Sequence, residues 1–249
     1  MHPFFASPFA ASSASSRPLV FAHRGGSALA PENTIEAFAN GLSLGADGIE
    51  LDVHLSRDGQ VVVHHDPTVD RTTQRTGAVA GMTANELARL DVPTLAAVLA
   101  RFRDPRVIIE LKVNTAELAS AVVAAVRRAD AVDRVCLGSV GLRVLRAARA
   151  LEPAIATSAA REEVCWALYG SWIGWPMRRG TYAGFQVPEF AGTTRVVSRR
   201  FVDAAHRAGH SVQVWTVDTE EAARRLLGFG VDALITDRPD VIVPVIGRG

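Results

Sequence analysis

Eight short apolar runs, each followed by a stretch of helical character, limit what this chain can fold into more than any other feature. They occupy residues 19–22, 48–53, 107–112, 135–138, 154–157, 184–187, 211–216 and 233–236. Their β-branched content and lack of strict polar alternation suit a sheet covered on both faces. The intervening segments carry helix starts and stops: Ile35, Phe38 and Leu42 lead to Gly45, and Ser198 opens a segment through Phe201, Val202 and Ala205 that ends at Gly209. Repeated strand and helix in this order predict an α/β protein with a TIM-type (β/α)8 barrel, and 249 residues match the length of one such barrel.

Two segments interrupt the alternation. Residues 61–65 follow the Arg57-Asp58-Gly59 turn closely, so they form a hairpin partner or a continuation of the second strand. Residues 66–102 are long for a connection, and Thr83 with Glu86 forms a capping-box pattern, which predicts a small helical insertion after the second strand. The chain therefore divides into a flexible N-terminal tail over residues 1–17 and a barrel over 18–249. The tail is rich in Ser, Ala and Pro and lacks the sustained apolar core of a secretory signal, despite Phe4, Phe5 and Phe9.

Charge and composition narrow the partners. The 27 Lys+Arg and 26 Asp+Glu residues nearly cancel, so no basic field is available to attract nucleic acid. None of the apolar runs reaches the roughly 18 to 20 residues of a membrane-spanning helix, which predicts a soluble protein. Cys136 and Cys165 are too few for a disulfide framework and read as buried or partly buried thiols, consistent with a cytoplasmic location.

Function is written in charges placed where strands should be apolar. Residues two apart on a strand share a face. In Ile49-Glu50-Leu51-Asp52-Val53, Glu50 and Asp52 therefore oppose the three apolar residues, and in Val107 to Val113 Glu110 and Lys112 do the same. The helices cover the apolar face, so three carboxylates and an ammonium point into the barrel. Burying an unpaired ion costs roughly several kcal/mol, so the arrangement calls for counter-charge. Glu50, Asp52 and Glu110 suit a hard divalent ion, Mg²⁺ or Ca²⁺, while a salt-bridge layer with Lys112 and Arg24 is the structural alternative.

His23 and Arg24 follow the first strand directly, at the rim where such barrels carry their chemistry, and Gly25 and Gly26 would let the backbone approach a ligand. Arg24 offers a fork of donors for phosphate or carboxylate, and Lys112 a point charge. His65 ends its strand as a natural second histidine, with His64 on the opposite face. Two imidazoles can divide general-acid and general-base duties. His54, His206 and His210 read as solvent-facing or capping residues.

The ordered segments His23-Arg24-Gly25, Pro31-Glu32-Asn33-Thr34, Glu50-Leu51-Asp52-Val53, His65-Asp66-Pro67-Thr68 with Asp70-Arg71-Thr72-Thr73, Glu110-Leu111-Lys112, Val214-Trp215-Thr216-Val217 and Ile235-Thr236-Asp237-Arg238-Pro239-Asp240 resemble the glycerophosphodiester phosphodiesterases. The resemblance spans residues 19–239 and implies metal-dependent hydrolysis of glycerophosphodiesters to glycerol 3-phosphate and an alcohol. It implies a divalent metal on Glu50, Asp52 and Glu110, His23 and His65 as the acid/base pair, and Arg24 and Lys112 on phosphate, with Glu32 and Trp215 around the substrate. Gln186 falls inward by strand alternation and is a further candidate for the substrate, as is Gln213, with packing and hydrogen bonding inside the barrel as the alternative for both.

Some features depart from that pattern or lie outside it. The passage from Leu90-Asp91 to Val92-Pro93-Thr94 is shorter than in relatives, and Asp218 stands where an Asn is usual and reads as a cap for the next helix. The segment from Trp166 to Met177 concentrates three of the four tryptophans and reads as a lid or pocket wall, with peripheral membrane contact as its further expectation. It is similar to members acting on lysophospholipids, so a lysophospholipase D-type activity is the alternative substrate reading, with an ordinary helix-packing surface as the other reading of the segment. A non-catalytic phosphodiester- or lipid-binding barrel is a minor one.

Overall fold

The computed structural model describes residues 3–5, 17–177 and 179–247. Eight parallel strands form the barrel: β1 (Leu19–His23), β2 (Gly48–Leu55), β3 (Arg106–Leu111), β4 (Val135–Gly138), β5 (Ala156–Thr157), β6 (Gly184–Pro188), β7 (Ser211–Trp215) and β8 (Ala233–Thr236). Hydrogen-bonded neighbours run β5-β4-β3-β2-β1-β8-β7-β6. The ring closes through a parallel bridge between Ser158 and Gly184, with Ala183 N–H donating to Thr157 O at 2.8 Å. β5 is shorter than expected because residues 154 and 155 lie in a turn before it.

Helices α1 (Ile35–Ser43), α2 (Ala84–Ala88), α3 (Leu95–Arg101), α4 (Ala116–Arg128), α5 (Leu142–Leu151), α6 (Arg161–Ile173), α7 (Arg199–Arg207), α8 (Glu220–Phe229) and α9 (Pro239–Val245) follow the strands. Thr34, Thr115, Ser198 and Thr219 cap α1, α4, α7 and α8 with side-chain oxygens that accept orphan backbone N–H groups. No helix among the described residues is long and apolar enough to cross a membrane.

Strand alternation sorts side chains into two cores. Ile49, Leu51, Val53, Val107, Ile109 and Leu111 face outward and join one sheet-to-helix cluster, and Phe185, Val187, Val212, Val214 and Leu234 join another. Inside the barrel, Leu19, Phe21, Ile108, Cys136, Ala233 and Ile235 fill the half nearest the strand starts. The register sets the polar layer above them: His23 pairs with Glu50, Asp52 with Glu110, and Glu110 with Gly138.

The interruption after β2 is a hairpin followed by an insertion. Val61–Val63 runs antiparallel to β2, and Val62, Val69, Val79, Met82, Leu87 and Val92 form a small core of their own. Thr83 and Glu86 make the expected capping box on α2. The insertion ends earlier than residue 102, because Leu95, Val98 and Leu99 of α3 pack into the main sheet-to-helix core.

Three expectations need correction. Part of the segment read as a flexible tail is packed: Pro3–Phe5 form a 3-10 turn, and Phe4 and Phe5 are buried under the barrel, with Phe4 stacked 6.0 Å from Phe21. Packing against Leu19, Phe21 and Ile235 at the strand starts takes these rings out of water; Phe9 lies outside the described residues. The segment from Trp166 to Met177 is neither lid nor pocket wall. α6 starts at the rim where β5 ends and descends the outside of the barrel, turning Trp166, Trp172 and Trp175 to solvent. Cys165, on that outer face, is exposed, while Cys136 is buried.

Candidate active site

The polar layer sits where β1, β2 and β3 end. After His23 the chain must turn sharply: Arg24 takes φ 50°, and Gly25 N–H and Gly26 N–H donate back to Ala22 O and His23 O at 3.1 and 2.8 Å. Gly25 has φ 90°, and a Cβ there would lie 2.6 Å from Ala37. The glycine pair therefore allows close packing of this turn on α1 and α9.

His23 is fixed from two sides. Its Nδ1 lies 2.7 Å from Asp237 Oδ1, and its Nε2 lies 3.7 Å from Glu50 Oε2. Burial pulls the imidazole pKa down, but Glu50 and Asp237 outweigh it and hold it above the ordinary 6.5. Asp237 is itself anchored. Ser27 Oγ donates to Oδ1 at 2.5 Å, and Asp218 Oδ1 accepts the Asp237 backbone N–H at 2.7 Å. Against the upward push of burial, His23 and Ser27 keep the Asp237 carboxyl below the usual range. Asp218 is thus not the helix cap expected, since Thr219 caps α8 and Asp218 buttresses the partner of His23.

The carboxylates divide unequally. Asp52 is surrounded by donors: Asn33 Nδ2 at 3.0 Å, Arg24 Nε at 3.2 Å and Lys112 Nζ at 3.3 Å. The buried Arg24 Nε–H is not aligned to hydrogen bond with any of its neighbours. Among the described residues, Glu50 accepts only the Arg24 backbone N–H, at 3.1 Å, beside the longer His23 contact. Burial, and then the charge of Asp52, push its carboxyl up to about 7. Burial likewise pushes Glu110 up to about 8, Lys112 opposing and Glu50 and Asp52 reinforcing. A Cβ on Gly138 would lie 2.5 Å from Glu110 Oε2 and 2.7 Å from Gln186 Oε1, so the absence of a side chain there makes room for both.

Among the described residues, no three His, Cys, Asp or Glu side chains already converge as a metal cluster. The donor chemistry fits a hard divalent ion all the same: Glu50 and Glu110 are oxygen donors whose ionisation is disfavoured by burial and mutual repulsion, the deficit a cation answers. Asp52 is the donor most fully occupied, by Arg24 and Lys112.

An ionic chain joins this cluster to His65 at the rim. His65 Nδ1 lies 2.6 Å from Asp66 Oδ1; Asp66 Oδ2 accepts Arg71 Nε at 2.6 Å; Arg71 grips Glu32 through two bonds of 2.7 and 2.8 Å; and Glu32 meets Arg24 at 3.2 Å. Arg71 foremost, with His65 and against burial, holds the Asp66 carboxyl well below its ordinary value. Glu32 is likewise held low by Arg71 and Arg24 although burial alone would raise it. Both histidines thus turn Nδ1 to a carboxylate and leave Nε2 on the opposite edge of the ring.

The other predicted residues separate. Gln186 points inward, its Nε2 3.6 Å from Cys136 Sγ. Gln213 is buried lower in the barrel on Ser211 Oγ at 2.8 Å, and Trp215 ends β7 half exposed. Of the histidines read as peripheral, only His206 is exposed, paired with Asp232 at 2.8 Å. His54 is buried with Nε2 3.0 Å from His65 O, because it continues the inward face of β2, and His210 is buried on Tyr182 with ring centres 4.5 Å apart. Asp237, Asp66, Arg71 and Asn33 received no assignment from the sequence, although each lies in or beside a quoted motif.

Residues 23–241, which contain every element of this site, match the Glycerophosphoryl diester phosphodiesterase family. A glycerophosphodiester phosphodiesterase of Caldanaerobacter subterraneus subsp. tengcongensis is 31% identical over 94% of this chain and 99% of its own length. Among solved structures, a glycerophosphodiester phosphodiesterase of Thermotoga maritima superposes with a TM-score of 0.75 at 27% identity, over 93% of this chain and 99% of that one. A phosphodiesterase of Oleispira antarctica in complex with sn-glycerol-3-phosphate superposes at 0.74 with 26% identity, covering 92% and 97%. Barrel, rim chemistry and near full-length matches agree: the chain belongs to the glycerophosphoryl diester phosphodiesterase family.

Proposed function

We propose that this chain hydrolyses glycerophosphodiesters to glycerol 3-phosphate and an alcohol. The observation that carries the reading is the junction of His23, oriented by Asp237, with Glu50 in a layer of crowded carboxylates beside Arg24 and Lys112. Glu50, Asp52 and Glu110 would hold a divalent metal, Mg²⁺ or Ca²⁺, which when bound would neutralise phosphate charge and orient the nucleophile.

The chain's own groups do the rest. Arg24 and Lys112 bind phosphate oxygens, and Asn33, by clamping Asp52, keeps both cations turned to the same centre. His23 and His65 exchange protons with the nucleophile and the leaving alcohol through Nε2, with Asp237 and Asp66 fixing ring orientation through Nδ1. Glu32 spaces Arg24 from Arg71, and Gln186 and Trp215 flank the substrate.

A second substrate reading, a lysophospholipid or related lipid diester, is favoured by Leu29, Val113, Val140, Phe190 and Trp215. These exposed apolar side chains stand on the segments that end or follow β1, β3, β4, β6 and β7, around the charged mouth. The test is turnover of glycerophosphocholine against lysophosphatidylcholine, after chelation and after add-back of Mg²⁺ or Ca²⁺. Cation-restored release of glycerol 3-phosphate from the first supports the main reading, and a preference for the second supports the lipid one. Failure of both to yield a phosphomonoester refutes both.

A further inference from the structure

The outer face of α6 is dressed differently from the other covering helices. Trp166, Tyr169, Trp172, Ile173 and, past the left-handed cap at Gly174, Trp175 are 80%, 57%, 47%, 78% and 64% exposed. Helical spacing puts these side chains on one side of α6, while Ala167, Leu168 and Ser171 pack inward. A protein that only needs a covered barrel gains nothing by placing indole rings in water, and a contiguous apolar patch of this kind marks a contact surface. Its composition is specific: Trp and Tyr pair an apolar body with a polar handle, the combination suited to the headgroup region of a bilayer.

Charge identifies the partner more closely. Arg161 at the start of α6, Arg179 beyond its end and Arg200 on α7 make no ion pair among the described residues, whereas Arg149 is paired with Glu163 at 2.8 Å. Arg200 stands beside the helix end, its Nη2 3.6 Å from where a Gly174 Cβ would be. Glu162 on α6 and Asp203 on α7 are the exposed acids of these two helices outside any ion pair. An aromatic face bordered by unneutralised guanidinium groups complements an anionic, amphipathic surface.

We infer that the outward face of α6, with Arg179 and Arg200, docks this protein on anionic lipid bilayers. The contact is peripheral and lies on the barrel wall, so the mouth containing His23 stays open. The inference is independent of the catalytic reading.

The full chain is sedimented with vesicles of phosphatidylcholine alone or mixed equally with phosphatidylglycerol, and tryptophan emission is followed. Binding to the mixed vesicles with a blue shift, weakened by salt, is expected. Arg179→Gln with Arg200→Gln should reduce that binding on the order of 30-fold, at about 1 kcal/mol per surface charge. Trp166→Ala with Trp172→Ala and Trp175→Ala should abolish the blue shift. Both variants should retain the wild-type circular dichroism and glycerophosphocholine turnover. The inference is overturned by absence of binding to mixed vesicles, equal binding to both vesicle types, wild-type binding by the variants, or a dimer of this chain that the same substitutions dissociate.

Discussion

The two halves of the barrel interior are built from the same strands and do opposite things. Near the strand starts, Leu19, Phe21, Ile108, Ala233 and Ile235 pack with Phe4 and Phe5 into a dry cluster. Two residues further along β1 and β3 stand His23 and Glu110, with Glu50 beside them on β2, and burial and neighbouring carboxylate charge drive the Glu50 and Glu110 carboxyls up. The lower half gains free energy from every methylene removed from water, and the upper half gives some back to hold charge in a confined space. The comparison separates substitutions that unfold the protein from those that silence it.

The largest effects should fall cleanly on either side. His23→Ala or His65→Ala should lower kcat for glycerophosphocholine by about 100- to 10,000-fold, the range of general acid–base catalysis, with the unfolding midpoint changed little. Phe21→Ala should lower stability by about 3 to 5 kcal/mol in denaturant titration, because it leaves a cavity between Phe4 and Ile108, while the folded fraction turns over normally. A smaller effect tests the link between the halves of the His23 contact. Asp237→Asn keeps the shape but loses the charged partner at 2.7 Å, so kcat should fall by about tenfold or more and KM stay near wild type.

The smallest effect is remote from both halves. Asp232 raises the His206 pKa above 6.5, against burial. A raised folded pKa means that the stabilisation is fully present below the unfolded value and is lost as pH rises through the folded one. The Tm advantage of wild type over His206→Ala should therefore be present at about pH 6 and shrink by about pH 9.

Much of the upper half was legible because it is local. Alternation along β2 and β3 is enough to turn Glu50, Asp52 and Glu110 inward and to send Ile49, Leu51, Ile109 and Leu111 to the helices. What was not legible depends on contacts across the chain. His23 and Asp237 are 214 residues apart and meet only because β1 and β8 are neighbours in the ring. Asp218 looks like any residue before a helix until its carboxylate is seen on the Asp237 N–H. Phe4 and Phe5 belong to a segment whose composition reads as loose, and what holds them is a space that exists only once the strands have closed. Periodicity puts the α6 aromatic residues on one side of the helix, but whether that side meets the barrel or solvent is decided only by how α6 packs, with Ala167, Leu168 and Ser171 inward.

The measurement that bears most directly on the contrast is Glu110→Gln, followed by denaturant unfolding with and without Mg²⁺ or Ca²⁺ and by turnover of glycerophosphocholine on the same sample. Replacing a crowded carboxyl by a neutral isostere should leave cation-free stability equal to or above wild type, abolish the stabilisation that added cation gives the wild type, and remove turnover. A variant as destabilised as Phe21→Ala that still hydrolyses substrate at the wild-type rate would contradict the account.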